Sequence, residues 1–286
     1  MLALQLLING LVTGCSLGVV AISFSLIYAT TRIFHVAHAG VYSLGGYLAW
    51  SLVAHGVPDA LALVLAMLAC AAVGVVIQHQ LYHRLARRGA THLAVLIASL
   101  GVLAVIQNLI AAIYSPNTLQ FPGTWANRVI GLGGILLTEA QLLAMFSGLA
   151  AYVVVLWFMH RTLLGGRIRA VASNPFLAEI TRLRPQDAYV IVIGIASAVV
   201  ALPGVLVAFD LGLKPYGGIT VLLTATIAMI AGGVGSITGA FALSVAIAVL
   251  QNLSLLVMPG EWSIGVTFFI FVIFMLFRPR GLFAAR

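Results

Sequence analysis

The sequence predicts an all-α, polytopic integral membrane protein with eight to nine transmembrane segments, broken or re-entrant helices among them. Two observations carry this expectation. First, 63% of the 286 residues are hydrophobic and 7% are charged, which leaves too little polar surface to cover a water-soluble domain. Second, apolar runs of bilayer length recur from one end of the chain to the other. A hydrocarbon core of roughly 30 Å takes about 20 helical residues to cross. No composition shift divides the chain, so residues 1–286 read as one transmembrane domain.

The runs fall near 4–29, 38–55, 58–81, 91–114, 138–160, 188–209, 220–233, 237–257 and 262–277. The first lacks a charged n-region and is about twice the length of a signal-peptide core, so it is expected to stay as a membrane helix. The second begins beside His35 and His38 and contains Gly40, Gly45 and Gly46, which marks it as a candidate broken helix. The four runs between 58 and 209 are each long enough to cross, and Pro203-Gly204 is expected to bend the last of them. The 220–233 run is short and ends in Ala231-Gly232-Gly233-Val234-Gly235-Ser236, a second candidate for a break. Cys15 and Cys70 sit inside apolar runs and read as small packing residues. Trp50, Trp157 and Trp262 read as lipid-facing or interfacial.

Arginine placement predicts the orientation. With residue 1 outside, Arg32, Arg84, Arg87, Arg88, Arg161, Arg167, Arg169, Arg182, Arg184, Arg278, Arg280 and Arg286 all fall in cytoplasmic loops. Only Arg128 and Lys214 of the 14 basic residues fall outside, together with Asp59, Glu139, Asp210 and Glu261. This is the positive-inside asymmetry, and it places the N-terminus in the periplasm and the C-terminus in the cytoplasm. The net charge of +8 is then a topology signal. It does not suggest nucleic acid, because the basic residues are split among loops.

Several chemistries lack their residues. No apolar run carries Asp or Glu near its middle, which argues against a carboxylate ion relay. The only lysine, Lys214, lies between Leu213 and Pro215 and cannot belong to a phosphate-binding loop. No catalytic pair and no metal cluster is legible, so neither an enzyme nor a metal site is expected. If the chain pumps, something bound to it is expected to supply the energy.

Three segments remain. The loop 161–187 reads as a cytoplasmic coupling segment. Gly165 and Gly166 are expected to end the preceding helix, Arg167–Ser173 to form about two helical turns, and Asn174-Pro175 to stop them. Arg167 and Arg169 diverge on a helix, while Ala170, Val171 and Ala172 supply a small apolar face suited to a groove on a soluble partner. The alternative is an ordinary basic loop. In the second segment, His38, Gly40, Tyr42 and Gly45 open a helix whose positive dipole end can face a solute; the alternative is interfacial histidines and tight glycine packing. In the third, Gly232, Gly233 and Gly235 read either as part of the solute pathway or as a close-packing hinge.

These motifs, in this order, resemble the permease subunits of bacterial branched-chain amino acid ATP-binding-cassette importers. Asn9-Gly10-Leu11, then Leu26-Ile27-Tyr28 ahead of His35-Val36-Ala37-His38, is similar to the family's N-G-L … L-I-Y … N-F-A-H-G opening. Gly166-Arg167-Ile168-Arg169-Ala170-Val171-Ala172-Ser173-Asn174 resembles G-R-x-x-R-A-x-A-x-N, which the family docks on its ATPases. Gly232–Ala240 resembles G-G-x-G-S-x-x-G-A, and Phe277–Phe283 resembles F-R-P-x-G-L-F. The chain departs from the pattern at His35, at Ala39-Gly40-Val41 and after Pro175.

The resemblance implies an inner-membrane permease subunit without catalytic residues, moving branched-chain amino acids or a related small organic solute by alternating access. Its implied partners are two cytoplasmic ATP-binding subunits, which hold the ATP and magnesium, a second homologous permease, a periplasmic solute-binding protein and the lipid bilayer. The rival expectation is a stand-alone secondary transporter or facilitative channel for a small polar solute such as urea or an amide.

Overall fold

The structure, a computed structural model, describes residues 1–121, 128–132, 134–278 and 281–283. Pro279, Arg280 and Arg286, read above as part of the C-terminal motif and the cytoplasmic charge, lie outside the described residues.

Each apolar run becomes a helix. The long ones are α1 (Leu2–Thr31), α3 (Asp59–Ile77), α5 (His92–Tyr114), α6 (Glu139–Arg161), α9 (Pro185–Leu211) and α11 (Ile237–Ser254). A five-residue π turn, Gln78–Tyr82, carries α3 without interruption into the short α4 (His83–Arg87). A 3-10 turn, Gly260–Trp262, leads into α12 (Ser263–Phe277). Among the described residues, seven helical segments are long and apolar enough to cross a bilayer. The two runs singled out as irregular give the short helices α2 (His38–Ala54) and α10 (Gly218–Gly232). Fold class and segment count agree with the sequence expectation. A small antiparallel hairpin, β1 (Val129–Leu132) and β2 (Ile135–Thr138), precedes α6 and was not anticipated.

Side chains fix where helices start. Thr138 caps α6 in a reciprocal box with Gln141, and Ser236 caps α11 by accepting the Gly239 N–H at 3.0 Å. Asn174 caps α8 (Pro175–Ile180), where Pro175 takes the first helical position that its missing N–H suits. Thr162 caps α7 (Leu163–Ser173) by accepting the Gly165 N–H at 3.0 Å. This corrects the reading of Gly165-Gly166 as the end of the preceding helix. α6 stops at Arg161, and both glycines lie inside α7. A Cβ on Gly165 would overlap the Phe158 carbonyl, so glycine serves the sharp α6–α7 corner rather than helix termination.

The core is organised around α1, which packs along its length on α11 and also touches α6, α9 and α10. Gly10, Gly14 and Gly18 recur every four residues and let the two backbones approach closely against Val249, Val245 and Phe241. α9 runs unbroken through Pro203. α2 is enclosed by α3, α5, α9 and α10. Gly204 of α9 sits against the Tyr42 carbonyl, and Gly218 at the start of α10 sits against the Ala39 carbonyl. Most remaining exposed surface on α3, α5, α6 and α12 is apolar, including Leu68, Ile97, Val154 and Phe269, as a lipid-facing surface requires.

The two ends of the bundle differ. One gathers Arg32, Arg169, the α10–α11 turn and Phe283 around one cavity, with α7 and α8 beside it. At the other, Asp210 accepts hydrogen bonds from Thr138 (2.9 Å) and Gln141 (3.1 Å), and Leu119 and Leu213 exchange two backbone bonds. We call these the basic end and the opposite end.

Candidate functional site

The residues chosen from the sequence occupy two separate places. Around the start of α2 the chain turns back into the bundle. His38 contacts Ser23, which lies two turns before the end of α1, or ~12 Å inside it at 1.5 Å per residue. α2 therefore begins within the bundle, as a re-entrant segment does.

A buried polar node holds this start, in which His35 Nε2 and His38 Nδ1 have no hydrogen-bond partner among the described residues. Ser23 gives its hydroxyl proton to the Val20 carbonyl (2.9 Å), so His38 Nε2 donates to Ser23 Oγ at 2.8 Å. Tyr82 donates to Ser99 (2.9 Å) and accepts from His35 Nδ1 (2.6 Å), and Ser99 also accepts the Ala37 N–H at 3.0 Å. Both histidines are wholly buried, with ring centroids 5.6 Å apart. Tyr82 ends the π turn, whose extra residue turns its ring toward His35; a regular helix would carry it about 100° around the axis.

Removing the Tyr82 hydroxyl strands the His35 N–H in an apolar surrounding. Tyr82→Phe is expected to destabilise the chain by about 1–3 kcal/mol, the usual penalty for a buried unpaired donor. A lower melting midpoint in detergent would show it. An unchanged midpoint would mean that the node does not hold the α2 start.

The other α2 residues divide between packing and cavity. Gly40 lies against Ile106 of α5 and Gly45 against Ala201 of α9. Tyr42 lines a cavity of about 160 Å³ at the opposite end, between α2, α9 and the segment leading into α10. Gly232, Gly233 and Gly235 lie elsewhere, at the basic end. Gly232 packs on Gly239, and Gly233 ends α10 under the crossing C-terminal segment. That segment donates from Leu282 to the Ala231 carbonyl and from Phe283 to the Gly232 carbonyl, each at 3.0 Å.

α7 divides its charges as the spacing predicts. Arg169 and Ala172 face a cavity of about 530 Å³ that they share with Gly235, Arg32 and His160. Arg167 faces a second cavity of about 270 Å³, with Arg182, Arg184 and Asp187. The small apolar face is split: Val171 packs inward with Ala178 and Ala188, whereas Ala170 is exposed. Asn174 and Pro175 form the joint to α8. α8 then presents Phe176, Leu177 and Ile180, which are 71%, 57% and 65% exposed. The sequence reading did not select these three.

Comparison with known proteins gives a consistent picture. Residues 6–275 match the family described as the branched-chain amino acid transport system / permease component. The chain is 25% identical to the high-affinity branched-chain amino acid transport system permease protein BraD of Pseudomonas aeruginosa, covering 98% of this chain and 95% of that protein. It is 24% identical to the corresponding LivH protein of Escherichia coli K12, covering 98% and 94%. In fold it resembles a chain of the solved structure of PsaBC from Streptococcus pneumoniae in complex with Fab, with a TM-score of 0.54, 14% identity and coverage of 95% and 91%.

Proposed function

The chain belongs to the branched-chain amino acid transport permease family, and from that premise we propose that it is one membrane subunit of an ATP-driven importer in the bacterial inner membrane. It pairs with a second homologous permease, takes a branched-chain amino acid or related small organic solute from a periplasmic binding protein, and is driven by two cytoplasmic ATPases that hold the nucleotide and magnesium. The basic end faces the cytoplasm and residue 1 the periplasm.

The observation that carries this reading is the α7–α8 pair. Phe176, Leu177 and Ile180 stand exposed at the basic end beside two arginine-lined cavities. Clustered apolar side chains rimmed by guanidinium groups suit the groove of a soluble partner. Motion imposed on α7 reaches the rest of the bundle by two routes. Ile168 and Val171 are buried in the bundle, and Arg169 borders the same cavity as the α10–α11 turn. The node at His38 and the residues Gly40, Tyr42 and Gly45 hold the re-entrant helix beside the solute path, and Gly232, Gly233 and Gly235 form its inner hinge. Alternating access then changes how α2 sits on α9 and α10.

Reconstitution into liposomes tests the reading. Solute uptake is expected only when the second permease, the ATPases and ATP are all present. Equal flux through this chain alone, without any ATPase, would favour a facilitative channel instead.

A further inference from the structure

The proposed function gives the cavity of about 530 Å³ at the basic end no ligand of its own. Arg32 just past α1, His160 of α6 and Arg169 of α7 line it, and no acid is among its described residues. The neighbouring cavity of about 270 Å³ differs in carrying its own acid, Asp187. Two of the three basic side chains are held at the wall by their polar heads. The Arg169 guanidinium donates to the Met159 carbonyl, and His160 Nδ1 donates to the Leu156 carbonyl at 2.9 Å; Met159 and Leu156 border the same cavity. A guanidinium has five N–H donors, so this bond leaves Arg169 donors to spare. Among the described residues none of the three basic groups lies within salt-bridge distance of a carboxylate. Like charges gathered without a counter-ion repel one another, which points to an anion that joins them.

The rest of the wall says how that anion is carried. α11 starts here, with Ser236, Ile237 and Thr238 in the lining, and adds the positive end of an 18-residue helix dipole. Leu26 and Leu156 lie at least one turn deeper than Arg32 and His160 and are apolar, so the cavity is cationic at its rim and apolar below. It also adjoins the lipid-facing surface. Val153, Val154 and Trp157 are exposed on the same last turns of α6, and an indole near the end of a membrane helix sits at head-group level.

A cationic rim over an apolar wall at the membrane surface matches a phosphate group attached to an acyl glycerol. We propose that this cavity binds the phosphate of an anionic phospholipid, with Arg169 as its principal cation and Arg32 beside it. The walls come from α1, α6, α7 and the α10–α11 turn, so a bound head group ties α7 to the bundle. Calling the leaflet concerned the inner one rests on the importer reading; the binding does not.

The test is native mass spectrometry of the purified full-length chain, delipidated in mild detergent and given phosphatidylglycerol or phosphatidylcholine with the same acyl chains. One phosphatidylglycerol is expected to bind at least about tenfold more tightly than phosphatidylcholine, as two arginines near an anionic head group would give. Arg169→Gln and Arg32→Gln should each weaken that binding about tenfold, as expected for losing a hydrogen bond to a charged group. Arg87→Gln, on α4 and outside this cavity, should leave it unchanged. Arg32 is exposed, so Arg32→Gln should melt like the parent chain when no lipid is added, which separates lost binding from misfolding. Phosphatidylglycerol should raise the melting temperature of the parent chain but not that of the double arginine variant. Equal binding of the two lipids, or binding unchanged in both arginine variants, would overturn the proposal. So would an equal melting-temperature rise with soluble glycerol 3-phosphate, which would assign the site to a free phosphate. Selective phosphatidylglycerol binding together with ATPase-independent solute flux would keep the site and refute the importer.

Discussion

Replacing Gly218 with valine should prevent the chain from accumulating in a folded, monodisperse form. Gly218 begins α10, and a Cβ there would overlap the carbonyl oxygen of Ala39 on α2, with the Ser43 hydroxyl only 2.8 Å away. The obstacle is backbone, so no rotamer change relieves it. α10 would have to withdraw, taking with it the contacts of Leu222 and Ala225, both in the core. Overpacking of this kind typically costs 1–3 kcal/mol and occasionally more, and α2 is held from the other side by Gly204 against the Tyr42 carbonyl. Detergent-extracted yield and melting midpoint are the measurements. Gly101→Ala on α5, where an added Cβ meets nothing within 4 Å, should leave both unchanged. If Gly218→Val melts like the parent chain, the close approach of α2 and α10 is wrong.

The second large effect concerns α8. The double substitution Phe176→Asp and Ile180→Asp puts two charges one helical turn apart on its exposed apolar side. Each buried aromatic or aliphatic anchor of an interface is worth about 2 kcal/mol or more, so recovery of the ATPases with the tagged chain should fall by at least ~100-fold, and uptake with it. The bundle should be spared, because exposed substitutions usually change stability by less than about 0.5 kcal/mol. A melting curve that matches the parent beside a lost pull-down separates docking from misfolding. Undiminished recovery of the ATPases would show that α8 is not where they bind.

Helix number and irregular positions were legible because apolar run length reports directly on the bilayer. The two short or glycine-broken runs gave α2 and α10, and the divergence of Arg167 and Arg169 followed from helical spacing alone. The polar node was not legible. Ser23, Tyr82 and Ser99 belong to three different segments, and a lone hydroxyl inside an apolar run has no period to betray its partner. Tyr82 depends further on the π turn, which adds one residue to a helix without any glycine or proline to mark it. The polar run Gln78-His79-Gln80 that opens it was the only available signal. Gly165 misled for a related reason. Glycine ends helices often, but here it admits the α6 backbone, and only the packing partner tells the two uses apart.

The paired backbone bonds between Leu119 and Leu213 have a mechanical meaning. They fasten the chain that follows α5 to the chain that follows α9, beside the Tyr216–Asn108 hydrogen bond and the Phe121–Phe209 ring contact at the same end. A rivet of that kind removes relative sliding between the parts it joins. On the importer reading, we expect the outer rims of α5 and α9 to move together when α7, which also touches α9, is displaced.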